Sequence, residues 1–136
     1  MEFALTFPLL LLVVLGIVDF GLLFQRYEVL TNAAREGARV GVLPGYGSAD
    51  IQARVNQYLL GTSLSSVTVT TNVGAPEYLP VGTTCIVVVP VTVSYPHSYF
   101  FVGGIGGYFG QTFGTKTLIA RANMRRETAA VPCPAS

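Results

Sequence analysis

Residues 3 to 24 read FALTFPLLLLVVLGIVDFGLLF. Asp19 is the one ionisable residue in this run, and Glu2 stands directly before it. Wound as a helix at about 1.5 Å per residue, the run is roughly 33 Å long, close to the thickness of a bilayer core. The rest of a 136-residue chain cannot enclose such a helix on every side. The run must lie in lipid, in the centre of an assembly, or in each at different times. No basic region precedes it and no small-residue cleavage site follows it, so it is expected to stay on the working protein.

The helical pattern does not stop at Phe24. From Gln25 to Val42 there is no proline, and Leu30, Ala33, Ala34, Gly37, Ala38 and Gly41 share one helical face. Most of that face is small, so another surface can approach its backbone closely. Ala34, Gly37, Ala38 and Gly41 are the expected packing positions, against a sheet or helix of the same chain or against a neighbour. Pro44 and Gly45 end the element, which spans about 40 residues or roughly 60 Å. Pro8, Gly16 and Gly21 weaken its apolar half. These features divide the chain into an apolar membrane or filament-core segment, residues 1–25, and an exported domain, residues 26–136, into which the helix continues to about residue 43.

Ser48 is the expected N-cap of a second helix, Ala49 to Leu60, with Ile51, Val55, Tyr58 and Leu59 as its buried stripe. Three strands follow. Ser66 to Val73 alternates for most of its length, and Cys85 to Tyr95 is rich in β-branched residues, with Pro90 suggesting an edge or a bulge. Between them Gly74 to Thr83, which contains Pro76 and Pro80, reads as a loop. In Thr115 to Arg126, Leu118, Ala120, Ala122 and Met124 alternate with a mostly polar set, which favours a strand over a short helix. Pro96 to Gly114 is aromatic and glycine-rich without a clear period. Its aromatic residues have three possible uses: to cap the core, to touch a membrane surface, or to meet a neighbouring subunit. The expected fold is α+β: a long N-terminal helix on a small antiparallel sheet of about three strands, with one short extra helix.

The chemistry on offer is sparse. A formal charge of +1 with scattered Lys and Arg excludes a nucleic-acid stripe. His97 is the single histidine and has no partners for a zinc site. The serines lack a triad context, and Gly103 to Gly107 lacks the lysine of a phosphate loop. No catalytic residue, cofactor or metal is expected. Cys85 and Cys133, behind a membrane-crossing helix, are expected to form a disulfide closing a loop of about 48 residues. The alternative is two unrelated thiols. A carboxylate in an apolar segment is costly unless paired or protonated. Glu2 and Asp19 therefore sit near the two membrane interfaces, or each meets a partner from an adjacent subunit and selects the register of the bundle.

The stretches MEFALTFPLLLLVVLGIVDFG and LTNAAREGARVGV, with the terminal ANMRRE, resemble the TadE family of pilin-like proteins. Glu2 matches the family's acidic residue near the start of the apolar segment. Pilin-like precursors carry a short leader ahead of that residue, whereas here Glu2 follows Met1 directly. The resemblance implies a structural protein of the bacterial inner membrane, cleaved by a prepilin peptidase. An assembly platform and ATPase would then build it into a tight-adherence type pilus, beside copies of itself or other pilin subunits. The rival expectation is a permanently anchored single-pass protein whose exported domain binds a ligand or envelope partner.

Overall fold

A computed structural model describes residues 2–64, 68–108, 110, 114–126 and 131–134, and for residues 2, 4, 5, 102, 105, 106, 108 and 131 the backbone alone. The first element, α1, is one continuous helix from Glu2 to Gly41 that runs through Pro8. It ends where the Leu43 amide donates to Val40 O and Gly45 takes a left-handed φ of 88°. Helix α2, Ser48–Leu60, begins one position earlier than expected: Gly47 is its cap, and its amide donates to Asp50 Oδ2 at 2.8 Å. Ser48 is thus already helical, because Asp50 supplies the capping carboxylate from inside the first turn. Ile51, Val55 and Leu59 are buried and Tyr58 is half-buried.

The sheet contains β1 (Thr70–Val73), β2 (Glu77–Val81), β3 (Thr84–His97), β4 (Lys116–Arg125) and β5 (Val131–Pro132), all antiparallel to β3. At Val88, β3 pairs with both Glu77 of β2 and Arg125 of β4, and from Val91 to Ser94 it pairs with both β1 and β4. Thus β1 and β2 share one edge of β3, while β4 and β5 share the other. The five segments make a sheet three strands wide. The α+β arrangement is as expected, and the additional segments are β2 and β5.

Three local expectations are corrected. The stretch Gly74 to Thr83 is not wholly a loop, because β2 lies within it. Pro80 is tolerated there because β2 is an outer, fully exposed strand, where a missing donor can face away from the ladder. Conversely, Pro90 does not mark an edge, since β3 is the central strand. Pro90 O accepts from the Gly74 amide at 2.9 Å, so the Pro90 nitrogen faces the same side, in the break between β1 and β2. The long ladder to β4 therefore loses nothing. The first strand begins at Thr70, and Ser66 and Val67 lie outside the described residues.

Helix α1 lies on α2, β3 and β4. Leu30, Ala33, Ala34 and Ala38 are fully buried against Val89, Val91 and Val93 of β3, Leu118, Ala120 and Ala122 of β4, and the stripe of α2. The β4 alternation is as read: Leu118, Ala120 and Ala122 are buried, whereas Ile119 is exposed. The small face lets three layers meet. A Cβ placed on Gly37 would stand 2.6 Å from Val55 Cγ2 and 3.3 Å from Val91 Cγ1, and one on Gly41 2.9 Å from Ile51 Cδ1. Gly37→Val is therefore expected to destabilise the domain by about 1–3 kcal/mol through overpacking, despite removing a helical glycine. Thermal unfolding in detergent checks it.

Candidate assembly helix and its buried clasp

Two halves of α1 have opposite surroundings. From Leu30 onward its small face is covered by the chain's own sheet and α2. In the first half, Phe3, Leu9, Leu10, Leu11, Leu12 and Val13 are all exposed, in every direction around the helix. The segment Thr6–Gly41 contains an 18-residue window of mean hydropathy 2.6, of which 6% is buried inside the chain. A soluble protein's core helix passes the same length and hydropathy test but is mostly buried. This one is not, so it is a candidate membrane span.

Asp19 is the exception on the apolar half, at 1% exposure. Its carboxylate accepts from the Phe100 amide through Oδ1 at 3.2 Å and from the Phe101 amide through Oδ2 at 2.9 Å. Those amides open α3, Phe101–Tyr108, a helix inside the aromatic and glycine-rich stretch that showed no period. The carboxylate caps α3, satisfying two amides that have no partner within that helix and meeting the positive end of its dipole. The sequence weighed an interface or an adjacent subunit for Asp19; within the chain its acceptors are turned to α3. Of the other aromatics in that stretch, Phe100 is exposed and Phe101 half-buried, their rings meeting edge to face at 4.9 Å. The Tyr108 side chain, Phe109 and Phe113 lie outside the described residues.

Two turns along α1, Arg26 Nη1 lies 2.8 Å from His97 Nδ1 and the guanidinium stands 5.7 Å from the Tyr95 ring centroid. A guanidinium only donates, so Nδ1 accepts and the proton of the neutral imidazole sits on Nε2. His97 is 2% exposed, its ring meets Tyr99 edge to face, and Nε2 has no partner among the described residues. Burial pushes the His97 pKa below its ordinary value of 6.5, the Arg26 charge pushes it the same way, and Asp19 opposes. The unfolded chain therefore takes up a proton near pH 6.5 that the folded one resists. His97 contributes its full stability above that pH and loses it as pH falls below. A melting series from pH 7.5 to 5.0 should show the decline beginning near 6.5, and His97→Gln should flatten the upper part of the curve.

The other candidate positions are placed as follows. Ala34, Gly37, Ala38 and Gly41 face α2 and the sheet of the same chain. Cys85 and Cys133 are bonded, Cys85 lying at the start of β3 after Thr84 and Cys133 following β5. Glu2 is the first helical residue, and its side chain lies outside the described residues. Among the described residues no cluster of His, Cys, Asp and Glu could hold a metal.

Arg26 and His97 were not singled out together by the sequence. The signal lay in spacing: Asp19, Leu23, Arg26 and Leu30 follow one another at four, three and four residues, so the buried stripe simply continues toward the N-terminus. Two ionisable members disguised it.

The apolar half, its acidic start and the small-residue face that follows are the stretch on which known proteins bear. Residues 1–39 match the family model of TadE-like protein. The N-terminal helix is therefore TadE-like almost to its end at Gly41, in agreement with the resemblance read from its residues. The match does not extend to α2 or the sheet, nor to the terminal stretch 122–127, where the sequence suggests a resemblance. No curated protein and no solved structure matches the chain.

Proposed function

We propose that this TadE-like chain is a structural, non-enzymatic subunit of a bacterial surface filament of the tight-adherence kind. Residues 1–25 hold it in the inner membrane before assembly and afterwards bundle with copies of itself or with other pilin subunits. Residues 26–136 form the exported domain. The observation that carries this reading is the apolar half of α1, which its own chain leaves bare, on the very stretch that is TadE-like. Withdrawal from lipid would expose that surface, and helix bundling would hide it again at about 25 cal/mol per Å². A prepilin peptidase and an assembly platform are the further partners this reading requires.

Glu2→Ala tests it. In a permanently anchored protein with a binding domain, a terminal carboxylate at the membrane edge is dispensable. In an assembling subunit it pairs with a neighbour during bundling. The expected result is normal membrane insertion with filament yield reduced at least tenfold. Unchanged filaments, or none containing the chain in either form, would favour the anchored protein.

A further inference from the structure

We propose that Phe100 and α3 rest in the interfacial layer of the bilayer, beside the domain, and set the depth to which α1 is inserted. This rests on the membrane reading of residues 1–25. The Phe100 and Phe101 amides are fixed to Asp19, which places the start of α3 at that level of α1. The helix between residue 3 and residue 18 is only about 24 Å long, short of a hydrocarbon core of about 30 Å. Filling the core takes about 20 residues and brings its boundary to about residue 22. Asp19, and with it Phe100, then lies roughly one turn inside that boundary.

Composition agrees with that location. Residues 98–115 contain no Asp, Glu, Lys, Arg or His, and Phe100 is 78% exposed, its ring meeting that of Phe101. Four of the eight residues of α3 are glycine. In water each weakens a helix by about 1 kcal/mol relative to alanine, and so short a helix has little to offset that. In lipid unsatisfied amides are more costly still, so the helix is favoured there, and glycine is common in membrane helices. The capped geometry also shields the Asp19 carboxylate from acyl chains, which a bare charge at that depth requires. Above it stand the groups of a wet margin: Arg26 two turns along α1, the exposed Tyr27, and Lys116, exposed and in register with His97. The occupant of this face is thus the phospholipid interface, continuous with the lipid around α1.

The chain contains no tryptophan, so single Trp variants report their own surroundings. The full chain is reconstituted in phosphatidylcholine–phosphatidylglycerol vesicles bearing nitroxide quenchers either near the headgroup or deep in the acyl chain. Phe100→Trp is expected to emit at shorter wavelength and to be quenched at least twofold more by the shallow probe than by the deep one. Leu10→Trp should show the reverse preference, and Ile119→Trp on the exposed face of β4 should be quenched by neither. Gly104→Trp, at a glycine with open space around it, gives a second reading of α3 and should follow Phe100→Trp. If Leu10→Trp is quenched while both α3 labels are not, α3 does not touch lipid and the inference is overturned, whether the labels are wet or covered by a second copy. If Leu10→Trp is also unquenched, the membrane reading itself fails, and the inference with it.

Discussion

Val13→Arg is expected to remove the chain from the membrane fraction and abolish its assembly while leaving the folded domain unchanged. Val13 lies near the centre of the apolar half and is exposed. A cation at the middle of a spanning helix costs about 2.5–3.5 kcal/mol on insertion, and the aliphatic contribution of valine is lost as well. The sum, about 3–4 kcal/mol, corresponds to a shift of several hundredfold in the insertion equilibrium. The domain should not respond, because its cover on α1 begins at Asp19 and Leu23, well away from residue 13. Membrane fractionation and a detergent melting curve separate the two effects. Loss of the melting transition along with insertion would show that the apolar half supports the fold, against the division drawn between the two halves of α1.

The second large effect belongs to the disulfide. Cys85 is the second residue of the central strand β3, and Cys133 follows β5, whose two residues pair with Thr84 and Cys85. The bond ties the end of the chain to the middle of the sheet across 48 residues. On the chain-entropy model, closing a loop of that length contributes about 3–4 kcal/mol. Cys85→Ser and Cys133→Ser should each lower unfolding free energy by about that amount, and the double variant should cost no more than either single one. The shared loss is the discriminating feature: two independent thiols would give additive costs. Denaturant midpoints with and without reductant check it, since reduction of the native chain should reproduce the variants. Such a bond suits a domain that works outside the reducing cytosol.

Local signals made some elements legible and non-local ones hid others. The long helix could be read because an unbroken apolar run and a 3.6-residue period both persist over dozens of residues. The face from Leu30 to Gly41 could be read because small and apolar residues recur on it, and β4 because Leu118, Ala120 and Ala122 alternate cleanly. Proline misled twice. At Pro80 a true strand was hidden, and at Pro90 a central strand looked peripheral. In both cases the outcome depended on which neighbour lies on the nitrogen's side, which is a property of the pairing and not of the residue. Helix α3 was illegible for a related reason. Its glycines oppose a helix, and the group that secures its start is Asp19, some 80 residues away in sequence. The clasp of Arg26 and His97 is likewise a long-range contact between α1 and the far end of β3.

The central claim is that the bare half of α1 is sheltered first by lipid and then by other subunits. It is tested most directly on fibres sheared from the cell surface, by electron microscopy together with composition analysis of the same fraction. The account predicts this chain within the fibres, its apolar helices gathered along the fibre axis and its domains outside. Fibres that lack the chain in every fraction, with all of it retained in the inner membrane, would contradict it.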